Sequence, residues 1–261
     1  MQYRLHMPAE KRGRRGTMIL VDFHTHILPG IDDGSQDESM TQDMLFEEKR
    51  QGVVDIVATP HFYANQMSVD GFLENRGAAL ARTEQIRREA DEPLPSIIAG
   101  AEVYYFPGIG RAAEIPKLCI GDTQVLLLEM PFEQWTDDVL RDVKDLIRKQ
   151  KLTIVLAHIE RYYRFQKDMD IWDSIMDLPL HTQINAGSFV NKGRFLRPDH
   201  RWQFCIDFLK DHPDTLHMGS DCHNMVNRVP NLAKGREAIK AKLGQEALDR
   251  IDASTAKLLG L

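Results

Sequence analysis

Residues Val21 to Gly34 read VDFHTHILPGIDDG. An apolar run leads straight into two histidines one residue apart, and an acidic pair, Asp32 and Asp33, follows within a single loop. On a strand, residues i and i+2 share a face, so His24 and His26 can grip one ion together. A buried strand that ends in ligands belongs to an α/β protein whose site lies at the C-terminal ends of its strands. Whether this protein is one depends on whether the pattern recurs.

It does. Seven apolar runs read as strands: MILVDFH, VVDIVATP, PSIIAGAEVYY, QVLLLEMPF, LTIVLAHIE, HTQINAG and LHMGSD. Several are nearly continuous Val/Ile/Leu, as expected where both faces of a parallel sheet are covered. Helical patterns alternate with them. Asp37 to Gln51 ends at Gly52, a C-cap residue; Ser68 to Glu89 is long and charged; Asp137 to Gln150 starts after Thr136, an N-cap residue; Arg197 to Asp211 and Pro230 to Leu259 complete the set. Strands alternating with helices imply parallel βαβ units. The expectation is an α/β fold, a distorted TIM-like (β/α)7 barrel in a single domain. A doubly wound open sheet is the alternative, but no GxGxxG follows the first strand.

Length and composition agree. An α/β barrel needs about 250 residues, and the chain has 261. No Ser/Gly/Pro linker or repeat divides it, and no window reaches the ~18 apolar residues of a membrane span. The net charge of −6 argues against a nucleic-acid binder, whose footprint is usually basic. Three widely spaced cysteines without CxxC point to a reducing, cytoplasmic setting. Residues 1–17 carry five basic side chains and no apolar core of a signal peptide, so they are expected to form a basic, disordered extension ahead of a domain at 18–261, or to precede a true start at Met18.

The remaining runs also end in metal-type ligands: His61, Glu102, Glu129, His158, and Asp221 with His223, while Asp33 sits in the first loop. On a barrel these distant residues converge on one rim. SDCH repeats the HxH spacing, with Cys222 facing away. Imidazoles mixed with hard carboxylates suit Mn²⁺, Fe, Zn²⁺ or Mg²⁺ rather than a thiolate site. Five histidines and four carboxylates exceed the needs of one ion, so two or three divalent ions sharing carboxylates are expected. Taken singly, His61 reads as a structural histidine and Glu102 and Glu129 as ion-pair partners. Jointly, so many buried charges need a metal. Arg161 in AHIER and Arg228 after SDCHN stand beside the ligands, and guanidinium forks match phosphate oxygens. Glu160 shares a strand face with His158, and Asn185 and Asn224 are weaker candidates for orienting ligands.

These residues resemble the PHP (polymerase and histidinol phosphatase) superfamily, with its HxH, following Asp, isolated His, Glu, further His and terminal DxH. More narrowly, DFHTHILPGIDDG, ATPHF, GAEVYY, LLLEMPF, AHIERY, INAGSF and SDCHN are similar, in order, to the capsule and exopolysaccharide protein-tyrosine phosphatases of CpsB/YwqE type. The resemblance covers Met18 to Leu261. It implies a distorted seven-stranded barrel with a trinuclear site. One ion would take His24, His26, Glu102 and Asp221; a second Glu102, Glu129 and His158; a third Asp33, His61 and His223. Arg161 and Arg228 match the family's phosphate-binding arginines.

The implied reaction is phosphomonoester hydrolysis by a metal-activated hydroxide. The implied partner is a phosphotyrosine protein, a membrane-associated bacterial tyrosine kinase, with no nucleic acid and no membrane insertion. Rivals are histidinol-phosphate phosphatase, a PHP-type exonuclease and a non-catalytic metal-binding module. Cys222 and Arg228 match the CxxxxxR spacing of cysteine-based phosphatases, but HNMVN between them lacks the glycine a phosphate cradle needs.

Overall fold

The structure, a computed structural model, describes residues 19–190, 193–194, 197–198 and 200–261. The basic extension at 1–17 lies outside the described residues. Each apolar run carries a strand: β1 (Val21–Thr25), β2 (Asp55–Ala58) and β3 (His61–Phe62), β4 (Ser96–Ala99) and β5 (Glu102–Tyr104), β6 (Val125–Glu129), β7 (Thr153–Leu156) and β8 (His181–Asn185). An antiparallel ribbon follows, β9 (Gly193–Arg194) with β10 (Arg197–Pro198), and then β11 (Leu216–Gly219). One run is split: Gly100 and Ala101 separate β4 from β5. The short β3 lies outside the runs, parted from β2 by Thr59 and Pro60, where proline has no N–H for a ladder.

The fold is α/β with parallel sheets. One sheet runs β1-β2-β4 and the other β11-β8-β7-β6-β5-β3, with every neighbouring pair parallel. A single isolated bridge, Thr25 to Cys222, joins β1 to the end of β11, where His26 N–H donates to the Cys222 carbonyl at 2.9 Å and Asp221 N–H to that of His24 at 2.8 Å. The ladders therefore form two sheets and not one closed ring.

Strand alternation sorts the core. Leu126, Leu128, Ile154 and Leu156 pack with the helices, while Val125, Leu127, Val155, Val21, Phe23 and Val57 form a second cluster closed by Leu259. Burial of both faces explains why these runs are apolar throughout.

The helices are α1 (Glu38–Arg50), α2 (Val69–Glu89), α3 (Asp137–Arg148), α4 (Asp170–Met176), α5 (His200–Asp211), α6 (Leu232–Leu243) and α7 (Gln245–Leu259). Asp37 caps α1 by accepting from Met40 N–H, and Ser68 caps α2 by accepting from Gly71 N–H. Gly52, just past α1, takes the left-handed φ of 86° that favours glycine. Three expectations need correction. Thr136 stands at the N-cap of α3 without a side-chain bond. The single helix expected over 230–259 is two, because Gly244 at φ 88° breaks the chain between α6 and α7. Helix α5 starts at His200, with Arg197–Pro198 in the ribbon instead, and the short α4 had no separate signal. No helix among the described residues is long and apolar enough to cross a membrane.

Candidate metal centre

All nine sequence-derived ligands meet at the C-terminal ends of the parallel strands, and Glu102 lies at their centre. Its Oε1 is 2.8 Å from His158 Nε2, and its Oε2 lies 3.0 Å from His61 Nδ1, 3.2 Å from His24 Nε2 and 3.3 Å from His26 Nε2. Glu129 approaches from the next strand, 3.4 Å from His158 and 3.9 Å from His61. Asp221 stands 3.7 Å from His24 and 3.5 Å from His26, and Asp33 lies 3.5 Å from His61 and 3.4 Å from His223. Eight of these side chains are buried or nearly so; Asp33 is the exposed member at 66%.

Three groups have ligand atoms close enough to share an ion: His24, His26 and Asp221; His61, Glu102 and Glu129; and His26, Asp33, His61 and His223. They overlap the partition that the family likeness implies, with three differences. Glu102 is absent from the group of His24, His26 and Asp221, and His26 joins Asp33, His61 and His223. His61 takes the place expected of His158 beside Glu102 and Glu129, while His158 contacts the same two carboxylates.

Backbone geometry departs from simple strand alternation. Strand β7 ends at Leu156, so His158 opens a 3-10 turn at φ 29°. Strand β11 ends at Gly219, and Asp221 also takes a left-handed φ, 53°. Such conformations cost energy for residues other than glycine and cluster where function over-determines them. Here His158 N–H donates to Gln183 Oε1 at 2.7 Å, and the bridge to His24 holds Asp221. Cys222 does face away: its Sγ donates toward Glu48 Oε1 at 3.7 Å, it is fully buried, and burial pushes its thiol far above the ordinary range.

The supporting residues were mostly missed from sequence. Asp32, noticed only as Asp33's neighbour, accepts from His26 Nδ1 at 2.7 Å and from the backbone N–H groups of His61 and Gly34 at 3.0 and 2.9 Å. It thereby fixes the ring of one ligand and the backbone of another. Burial alone would lower the pKa of His26, but Asp32 and Glu102 together raise it to about 10. Gln183 gave no signal by residue type, yet its Oε1 lies 3.1 Å from His24 Nδ1. Its Nε2 donates to Asn185 Oδ1, and Asn185 Nδ2 in turn donates to Asp221 Oδ2, both at 2.8 Å. The alternation Gln183–Asn185 on β8, facing the ligand strands, was the available clue. Glu160, expected beside His158 on a strand face, instead accepts from Asn185 N–H and Ser188 Oγ. Asn224 caps its own loop by accepting from the N–H groups of Val226, Asn227 and Arg228.

Arg161 and Arg228 both lie at the site, and both bond to a ligand. Arg161 Nη2 donates to Asp221 Oδ2 at 2.8 Å and Arg228 Nη2 to Oδ1 at 2.7 Å.

The residues fit divalent ions. Glu102 Oε2, His61 Nδ1 and His223 Nε2 are buried without a hydrogen-bond partner, and His24 Nε2 and His26 Nε2 lie 3.1 Å apart. Buried polar atoms left unpaired are costly, and these converge from several strands on the same small volume, which a shared cation relieves.

A parallel α/β fold with imidazoles and carboxylates gathered at its strand ends defines the class of metal-dependent enzymes. The chain belongs to the CpsB/CapC family of capsular polysaccharide synthesis, whose sequence profile matches residues 20–259. It is 28% identical over 238 residues to the tyrosine-protein phosphatase CpsB of Streptococcus pneumoniae, covering 86% of this chain and 91% of that one. It is 26% identical over 236 residues to the tyrosine-protein phosphatase YwqE of Bacillus subtilis, covering 87% and 86%. Among solved structures, a chain from the crystallography of YwqE and S. pneumoniae CpsB, described as unique metal-dependent tyrosine phosphatases, superposes with a TM-score of 0.73 at 21% identity, covering 92% of this chain and 94% of that one. The lactonase Lmo2620 from Listeria monocytogenes shares the fold more distantly, with a TM-score of 0.55 at 9% identity over 93% of this chain and 94% of that one.

Proposed function

We propose that this chain is a metal-dependent protein-tyrosine phosphatase. The observation that carries the reading is the pairing of a nine-ligand centre on Glu102 with two guanidinium groups on its rim. The names of its relatives in the CpsB/CapC family support phosphotyrosine as the substrate class. Mn²⁺ is the ion that we favour among Mn²⁺, Fe, Zn²⁺ and Mg²⁺, held by His24, His26, Asp33, His61, Glu102, Glu129, His158, Asp221 and His223 as two or three ions. When bound, such ions lower the pKa of water and polarise phosphoryl oxygens.

The chain's own groups supply the rest. Arg161 and Arg228 each spend one N–H on Asp221, and their forks have further donors to offer the phosphoryl oxygens. Their side chains are 31% and 36% exposed, so substrate can reach them. Asp32, Gln183 and Asn185 hold His26, His24 and Asp221 in place. A phenolate leaving group has a pKa of about 10, so little protonation is required of the protein.

The architecture that we favour is a seven-stranded barrel in one domain over residues 18–261. In it β2 with β3, and β4 with β5, are single bent strands, and the Thr25–Cys222 bridge closes the ring. The physiological partner is a phosphotyrosine protein, a membrane-associated tyrosine kinase of capsule or exopolysaccharide synthesis, met in the cytoplasm.

The test is hydrolysis of p-nitrophenyl phosphate and a phosphotyrosine peptide. Chelation should abolish both activities and added Mn²⁺ restore them, and Cys222→Ser should remain active. Full activity in metal-free protein, or loss in Cys222→Ser with metals retained, would overturn the reading.

A further inference from the structure

We propose that Phe132 is the wall on which the aromatic ring of the substrate stacks, and that it sets the preference for aryl over alkyl phosphates. This inference rests on the phosphatase reading of the metal centre.

Phe132 lies three residues beyond the ligand Glu129, in the loop that leaves β6. A phenylalanine ordinarily gains by burial, yet this one is 36% exposed. Among the described Phe, Tyr and Trp residues only one other is as exposed, Tyr163, and its ring packs on Trp172 and Phe204 rather than on a ligand. Phe132 instead stacks against His158, with ring centroids 5.9 Å apart and planes within 17°. That places it one ring away from an imidazole that touches both Glu102 and Glu129.

The loop is built to hold it there. Tyr162 is fully buried, its ring centroid is 5.2 Å from that of Phe132, and its hydroxyl accepts from Met130 N–H at 3.0 Å. Phe165 adds an edge contact at 6.0 Å. Phe132 is thus fixed by the ring of a ligand and by a buried tyrosine, while part of its surface stays open to solvent. A phosphate ester at the metal centre carries its first carbon one oxygen away from phosphorus. A phenyl ester therefore brings its ring to the level of the first side chains outside the ligands, within the contact range of about 4.5–7 Å for aromatic pairs. A short alkyl ester offers nothing to stack at that level. The exposure of Phe132 is then a property of the free protein that substrate removes.

The test measures binding of benzylphosphonate and ethylphosphonate, in which a methylene stands in for the ester oxygen, to the Mn²⁺-loaded protein by isothermal titration calorimetry. Benzylphosphonate should bind more tightly. Phe132→Leu should reduce that aryl preference about three- to tenfold, with ethylphosphonate affinity and metal content unchanged, and Phe132→Tyr should restore the preference. An unaltered ratio in Phe132→Leu, an equal loss for both phosphonates, or no binding of benzylphosphonate would overturn the proposal. Turnover of a phosphotyrosine peptide by the unsubstituted protein is scored separately. Its absence removes the phosphatase reading, whereas turnover with an unaltered phosphonate ratio removes only the role of Phe132.

Discussion

Arg161 holds Asp221: its Nη2 donates to Oδ2 at 2.8 Å, and Arg228 takes the other oxygen at 2.7 Å. Two residues 60 positions apart are joined because β7 and β11 both flank β8 and end on the same rim. A guanidinium has no acceptor to offer an ion, so under the proposed function Arg161 orients the carboxylate and meets an incoming anion. Arg161→Ala should keep the fold and the metals while kcat/KM falls roughly 10²–10³-fold, the typical cost of losing a donor aimed at developing charge. Arg161→Lys should recover only part, because a point charge does not reproduce the fork. Metal stoichiometry, Tm and kcat/KM on one preparation decide it, and unchanged kcat/KM would retire the clamp.

Glu102 touches four histidines through its two oxygens, more than any other ligand among the described residues. Removing it should therefore empty more than one ion position. Glu102→Ala is expected to lower metal content by more than one ion per chain, counted by plasma mass spectrometry, and to lose turnover. Full occupancy with near-normal turnover would make Glu102 a structural residue only.

Behind the ligands, Asp22 and Glu48 form a buried acid pair. Burial raises the pKa of both, and the neighbouring Asp22 carboxylate lifts Glu48 further. A proton on Glu48 answers two atoms, Asp22 Oδ2 and Glu48 Oε2, that have no other donor. Because the folded-state pKa is raised, the stabilisation is complete below the unfolded carboxyl value of about 4.3 and is lost as pH rises through the folded one. Glu48→Gln keeps a donor at every pH, so its Tm should fall less than that of the unsubstituted protein as pH rises above the unfolded carboxyl value. Parallel Tm–pH curves for the two proteins would show that Glu48 does not titrate in this way.

Gly219, the last residue of β11, leaves no room for a side chain. A Cβ there would lie 2.5 Å from His24 Cβ and 2.8 Å from His24 N. Gly219→Ala should displace His24, costing about 1–3 kcal/mol as overpacking does and weakening metal uptake. Thermal melts and metal titration check this, and unchanged values in both would mean that the strands separate without cost.

What the sequence determined by itself was the class of fold and which imidazoles and carboxylates meet at the strand ends. Apolar runs alternating with helical patterns located the strands of the two parallel sheets except the short β3, which lies just past the run that carries β2, because strands buried on both faces must be apolar. HTH, His61, Glu102, Glu129, His158 and DCH stood out because imidazoles and carboxylates at the ends of apolar strands have few uses besides metal, and Asp33 by its place in the loop after HTH. Tertiary structure decided what residue type does not record. Asp32 and Gln183 are ordinary polar residues until folding sets one against His26 and the other against His24. The left-handed turns at His158 and Asp221 arise from contacts with β8 and β1 and not from their own preferences. The join between β1 and β11 is one bridge between residues nearly the whole chain apart, and no local pattern could announce it, because hydrogen bonds of that kind depend on where the chain returns in space.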